Sequence, residues 1–169
     1  GGRMPGLIID QYDKTIVIQL LTAGMDRERD LICRIIAELF PGFSVFERSD
    51  ADVRELEGLS SRVGLIKGAT IPDEIWIHEN GIQYKVDIAS GQKTGFYLDQ
   101  RENRNKLFQY AQGKKVLNCF SYTGGFTLNA IKGGAKSVLS IDSSQQALNV
   151  MASNIERNQF ETTKAQSLC

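Results

Sequence analysis

The sequence predicts an α/β chain in two parts. A small β-β-α-β-β domain spans residues 5–90, and the first half of a doubly wound parallel sheet spans residues 91–169. Three observations carry this. Residues 114–142 read strand, glycine loop, helix, strand, which is one βαβ unit. Residues 7–46 read as two β-branched runs, a helical stripe and a further apolar run. Asn80-Gly81 sits between two alternating stretches, a strong hairpin signal because both residues tolerate positive φ.

Taken in order, Leu7–Tyr12 and Thr15–Leu20 flank the polar pair Asp13-Lys14 and predict a hairpin. From Asp26 to Phe40 the residues Leu31, Ile32, Ile35, Ile36, Leu39 and Phe40 recur at helical spacing and form one wide apolar stripe. Pro41-Gly42 ends that helix. Phe43–Glu47 is a further strand, and Ala51–Leu59 a short acid-rich helix closed by Gly58. Ile75–His78 and Ile82–Ile88 form the arms of the Asn-Gly hairpin, one of which is expected as the fourth strand of the small sheet. His78, the only histidine, falls on a solvent-facing strand position and is assigned no chemistry. Ala89-Ser90-Gly91 is the expected linker. Beyond it Asp99 is placed to cap a helix over residues 100–111, with Leu107, Phe108 and Ala111 inward. Gln100, Arg101 and Arg104 would then face solvent or a ligand edge. The planar fork of Arg101 suits a carboxylate or a phosphate, with an ordinary surface arginine as the plainer alternative.

The βαβ unit follows. Its first strand ends at Phe120, the loop is Ser121-Tyr122-Thr123-Gly124-Gly125, and a helical pattern runs from Phe126 to Ile131. Gly133-Gly134 stops the helix, and a second strand, Ser137–Ile141, ends on Asp142. Parallel strands in such a unit end on one edge of the sheet, so the loop and Asp142 face the same crevice. Without Cβ atoms, Gly124 and Gly125 let a ligand approach the backbone, and the helix N-terminus offers N–H donors. Asp142 stands where a carboxylate accepts from a ribose diol. The G-x-G-x-x-G of a dinucleotide fold is absent, and the bulky Tyr122 and Phe126 argue against a pyrophosphate. The residues alone leave a nucleoside half-site and a plain tight turn both open. Ser143-Ser144 then starts a helix through Arg157, with Leu148, Met151, Ala152 and Ile155 inward, and residues 165–168 open a third strand.

Hydrophobic content of 41% and charged content of 24% are those of an ordinary globular protein, and the net charge is zero. The charge is unevenly spread: residues 91–115 hold six Lys/Arg against two acids, and residues 47–79 hold eight acids against four Lys/Arg. A modest basic segment therefore adjoins the loop, though any one of its charges reads equally as a solvated helix face. Cys33, Cys119 and Cys169 show neither metal spacing nor a disulfide pattern, which suits a reducing, cytoplasmic setting. Cys119 reads as a small buried residue at a strand end. No apolar run approaches the roughly 18 residues of a membrane span, so no membrane partner is expected.

Asn118-Cys119-Phe120-Ser121-Tyr122-Thr123-Gly124-Gly125-Phe126, with Lys93-Thr94-Gly95-Phe96-Tyr97-Leu98-Asp99-Gln100-Arg101 upstream, resembles one methyltransferase family. These are the S-adenosylmethionine-dependent large-subunit rRNA cytosine-5 methyltransferases, built as PUA domain, small central domain and Rossmann-like class I catalytic domain. The resemblance runs from about Pro5 to the C-terminus. It implies that Asn118, Phe120, Ser121, Tyr122, Thr123, Gly124, Gly125 and Phe126 form the S-adenosylmethionine loop and that Asp142 binds the ribose hydroxyls. It places Gln100 and Arg101 near the methionine end of the cofactor, and the central domain against RNA. The family's nucleophilic cysteine and its Asp-Pro-Pro motif come later than residue 169, and its PUA domain precedes Pro5. The expectation is therefore a fragment without catalytic residues of its own, inactive alone. Its first strand would be left uncovered for a complementary fragment or a second copy. A non-catalytic RNA- or partner-binding module is the alternative, and half of a nicotinamide-dependent oxidoreductase the weaker one.

Overall fold

A computed structural model describes residues 4–68 and 70–169. The chain forms two compact units. One runs as far as Ile75 and resumes over Val86–Phe96; the other joins Trp76–Lys85 to Tyr97–Cys169. Instead of one boundary near residue 90 the chain crosses between units three times, because most of the Asn-Gly hairpin goes with the second unit.

In the first unit, β1 (Leu7–Tyr12) and β2 (Thr15–Leu20) pair antiparallel from Leu7↔Leu20 to Tyr12↔Thr15, with Asp13 left-handed at φ 51° in the turn. Two helices follow where one was expected from Asp26. The Thr22 hydroxyl accepts from Met25 N and starts α1 (Ala23–Arg27) early, and α2 (Arg29–Leu39) begins after a break at Glu28. They cross over to β3 (Ser44–Ser49), which lies parallel to β2. After the short α3 (Val53–Leu56) comes β4 (Arg62–Lys67), antiparallel to β3, giving the order β1-β2-β3-β4. The fourth strand is thus β4, not an arm of the Asn-Gly hairpin.

The core of this unit joins Ile16, Ile18, Leu20 and Val45 of the sheet to Ile32 and Ile36 of α2. The apolar stripe of α2 is wider than its buried face, since Leu31, Ile35 and Leu39 are exposed. Arg54 is buried on α3, and its guanidinium donates to Asp26 and to the carbonyls of Leu20 and Ser60, so the charge is fully engaged. The returning segment is equally well held. Thr94 Oγ1 donates to Asp10 Oδ2 at 2.6 Å and shares a 2.7 Å bond with the Tyr12 hydroxyl. Arg48 donates to the carbonyls of Ile88 at 2.7 Å and Gly91 at 3.0 Å. Ala89-Ser90-Gly91 is therefore a pinned turn and not a loose linker. Burial pushes the Asp87 carboxyl up, but the Ser90 hydroxyl and the Ser90 and Ala89 amides outweigh it and hold it below the ordinary range.

β5 (Ile75–Glu79) and β6 (Ile82–Val86) form the expected hairpin, all but its end residues Ile75 and Val86 in the second unit, with Asn80 and Gly81 at φ 51° and 72°. His78 is exposed. A 3₁₀ turn, Leu98–Gln100, leads into α4 (Arg101–Tyr110), so Asp99 lies in the turn and Gln100 takes the cap position. Of the predicted inward residues Ala111 is buried, Leu107 half-buried and Phe108 exposed. Then come β7 (Lys115–Cys119), α5 (Gly125–Lys132), β8 (Ser137–Ile141), α6 (Gln145–Arg157) and β9 (Ala165–Leu168). The three strands are parallel in the order β7-β8-β9. The buried face of α6 is Ala147, Leu148, Met151, Asn154 and Ile155, while Ala152 is exposed. β7 ends the order; Leu117 is 62% exposed and Phe120, just beyond it, 92%. Among the described residues no helix is long and apolar enough to cross a membrane.

Candidate functional site

The C-terminal edge of the parallel sheet is where the chain departs from regular structure. Ser121 N donates to Ile141 O at 3.0 Å, so β7 stays tied to β8 for two residues beyond its end. Phe120, Tyr122 and Gly124 then take φ values of 57°, 48° and 84°. Alternate left-handed residues coil the loop tightly, a conformation that is uncommon for the two aromatics. Asp142, at the tip of β8, holds the coil. Its Oδ2 accepts from Tyr122 N at 2.7 Å and its Oδ1 from Ser144 N at 2.9 Å. Ser144 in turn caps α6 by accepting from Ala147 N. A carboxylate has about four lone-pair sites, so Asp142 keeps acceptor capacity beyond these two bonds.

Asn118 turns inward. Its Nδ2 donates to Thr127 Oγ1 at 2.9 Å, and Thr127 shares a 2.7 Å bond with Ser140 Oγ, which ties β7, α5 and β8 together. Gly124 is required by packing as well as by φ: a Cβ there would stand 2.3 Å from Met151 Cγ and 3.0 Å from Leu128 Cδ1. Its close approach is thus to α6, a different reason from the ligand approach expected of it. Gly125 and Phe126, both half-buried, open α5, and Leu128 N closes its first turn on Gly124 O. Ser121 Oγ and Thr123 Oγ1 are buried and have no hydrogen-bond partner among the described residues. Such orphans cost roughly 1–3 kcal/mol each unless something pairs with them, so two within three residues fit a polar ligand. The Thr123 carbonyl is satisfied, accepting from Asn154 Nδ2 at 2.9 Å.

The upstream segment meets the loop through Tyr97, whose ring packs edge-on against Tyr122 with centroids 5.6 Å apart. Gln100 and Arg101 follow on the same segment, but their hydrogen bonds run elsewhere: Gln100 to Asp99 and Asn103, Arg101 to Glu79. Arg101 is 58% exposed at its side chain. Arg104, expected at the surface, is instead buried against Glu79 of β5. Its Nε and one terminal nitrogen each reach a carboxylate oxygen at 2.7 Å, and the other terminal nitrogen donates to Tyr97 O at 2.8 Å. Burial, and then the Glu79 charge, push the neighbouring Tyr84 hydroxyl far up, so it stays protonated; Asn129 of α5 donates to it. Cys119 is exposed at the end of β7, correcting the expectation of a buried residue. Tyr97, Asn154 and Met151 all shape the loop, and no spacing in the sequence singled out their roles.

Residues 61–168 match the model of a family described as S-adenosylmethionine-dependent methyltransferase. Among curated proteins, "Ribosomal RNA large subunit methyltransferase I" of Aliivibrio fischeri (strain MJ11) is 48% identical over 98% of this chain and 42% of its own length. The protein of the same name from Aeromonas hydrophila is 49% identical over 96% of this chain and 41% of its own. The chain therefore spans about two-fifths of these relatives. Among solved structures, a Streptococcus mutans chain assigned as a SAM-dependent methyltransferase shares 30% identity at a TM-score of 0.83, over 96% of this chain and 41% of its own. The structure of SMU.776 complexed with SAH superposes with the same values. A structure at 21% identity, "The complex structure of aTrm5 and tRNALeu", shares the fold at a TM-score of 0.72, over 96% of this chain and 46% of its own. With an α/β sheet of the Rossmann-like methyltransferase type, and a family match over well more than half of its residues, the chain belongs to the S-adenosylmethionine-dependent methyltransferases.

Proposed function

We propose that this chain supplies the S-adenosylmethionine half-site of an RNA methyltransferase acting on large-subunit rRNA, at C5 of a cytosine. The observation that carries the cofactor reading is the pair of buried, unpartnered hydroxyls, Ser121 Oγ and Thr123 Oγ1, in a loop clamped by Asp142. The remaining lone pairs of Asp142 would take the ribose diol, and the two hydroxyls would pair with polar atoms of the cofactor. Phe120, exposed beside them, offers an apolar face, and Tyr122, Gly124, Gly125 and Phe126 shape the loop. Bound S-adenosylmethionine supplies an electrophilic methyl group. Gln100 and Arg101 are proposed at its methionine end. The names of the large-subunit rRNA relatives support the substrate class, and the cytosine-5 specificity rests on the resemblance of the two motifs. We assign no catalytic residue among residues 1–169 and expect no methyl transfer by this chain alone. The open edge of β7 favours pairing with a complementary strand or a second copy.

Calorimetry with S-adenosylmethionine and NAD tests the reading, and tighter binding of NAD would end it. Asp142→Ala removes charge-assisted bonds worth about 1.5–3 kcal/mol each, so affinity should fall at least tenfold. Because that change also releases the Tyr122 and Ser144 amides, Thr123→Val and Ser121→Ala give the cleaner readout. Deleting an orphaned hydroxyl should leave stability unchanged or raised while S-adenosylmethionine binding weakens. A loss of stability with unchanged affinity would show that the hydroxyls serve the fold instead.

A further inference from the structure

Asn154, one of the least exposed residues of α6, faces two elements at once. Its Oδ1 accepts from Lys85 N of β6 at 2.8 Å, and its Nδ2 donates to the carbonyl of Thr123 at 2.9 Å. One turn later Asn158 does something related but narrower. Its Oδ1 accepts from Gln83 N at 2.8 Å and its Nδ2 donates to Gln83 O at 2.7 Å, so it grips β6 without reaching the loop. The spacing explains why two asparagines can do this. Four residues of helix rise about 6 Å and two residues of strand about 6.6 Å, so positions 154 and 158 fall opposite positions 85 and 83. The helix thereby acts as a partner strand for the outer edge of β6, using side-chain amides where a neighbouring strand would use its backbone. Only a primary amide offers an acceptor and a donor at this reach. Aspartate lacks the donor, and leucine lacks both.

Thr123 is the residue at which this device meets the site. Its carbonyl is held by Asn154 while its hydroxyl is buried without a partner. We propose that Asn154 is a positioning residue for the cofactor loop: anchored on β6, it fixes the Thr123 peptide so that the Thr123 hydroxyl is presented to the ligand. The inference rests on the assignment of residues 118–126 as the S-adenosylmethionine loop. Asn158 is the built-in control, since it is bonded to the same strand from the same helix and makes no bond to the loop.

The test compares Asn154→Ala, Asn154→Asp and Asn158→Ala in the full chain by amide hydrogen exchange and S-adenosylmethionine calorimetry. Asn154→Asp retains an acceptor for Lys85 and, when ionised, has no donor for Thr123; it also brings a buried charge, so the exchange of β8 amides reports whether each variant stays folded. Both Asn154 variants should speed exchange of the Tyr122 and Gly124 amides, bonded to Asp142 and to Ser121 O, at least tenfold relative to β8 amides. They should also weaken S-adenosylmethionine about tenfold. Asn158→Ala should loosen β6 and change neither quantity. Equal loop exchange in the Asn154 and Asn158 variants overturns the proposal, as does faster loop exchange with unchanged affinity. If the unaltered chain binds no S-adenosylmethionine, the cofactor assignment fails, and the exchange comparison still decides whether Asn154 holds the loop.

Discussion

Replacing Arg104 by methionine probes the most heavily charged contact inside the second unit. The guanidinium makes two 2.7 Å bonds to Glu79 and one of 2.8 Å to Tyr97 O, and the pair is only 2% and 5% exposed at its side chains. Removing one partner of a buried ion pair typically costs about 3–5 kcal/mol, because the other charge stays out of water. Arg101 Nε lies 3.3 Å from the same carboxylate and is well exposed, so it retains part of the compensation and favours the lower end, about 3 kcal/mol. For a unit of this size that corresponds to a fall of roughly 12–24 °C in midpoint, at about 4–8 °C per kcal/mol. Trp76, the single tryptophan, lies on β5 with the Arg157 guanidinium 5.2 Å from its ring, so its fluorescence follows the unfolding of this unit in urea. The double variant Glu79→Leu/Arg104→Met should recover most of the loss, since two apolar side chains leave no stranded charge. A cost below about 1 kcal/mol for Arg104→Met, or a double variant no more stable than the single one, would refute this account of the pair.

Gly124→Ala should destabilise by about 2–5 kcal/mol in urea unfolding, combining about 1–2 for a left-handed alanine with about 1–3 for overpacking against Met151. In a Met151→Ala background the same substitution should cost little more than the backbone part, because the nearer side chain is gone and only the Leu128 methyl, 3.0 Å away, remains to give way. Unchanged stability of the Gly124→Ala variant would contradict the geometry. For the edge of β7, light scattering should detect self-association at micromolar concentration that Leu117→Lys abolishes. A chain that stays monomeric throughout would exclude a second copy as the cover for that edge.

What was legible in the sequence follows the range of the interactions. The turns at Asp13-Lys14 and Asn80-Gly81, the strand–loop–helix–strand run to Asp142 and the Ser144 cap are set within a few residues of chain, and all appear as expected. β4 did not announce itself because most of its side chains are exposed and Gly64 interrupts it, so no apolar alternation marks Arg62–Lys67. Arg104 was misplaced because an arginine on a charged helix reads as solvated. Its burial depends on Glu79, twenty-five residues earlier and on another element. The loop motif around residues 118–126 was legible as a motif, but not the division of labour inside it. That Asn118 faces inward to Thr127, and that Tyr97 rather than Gln100 or Arg101 packs on the loop, depend on contacts that spacing does not encode.

The two amide bonds to Asp142 bear on the thermodynamics of ligand capture. A surface carboxylate that meets a ligand must give up its rotational freedom at that moment, and immobilising a side chain on association costs about 0.5–1.5 kcal/mol. Asp142 surrendered that freedom when the chain folded, because Tyr122 N and Ser144 N already fix both of its oxygens. The entropy loss falls on folding, and in the proposed site a diol at the edge of β8 would meet an acceptor whose orientation no longer has to be selected.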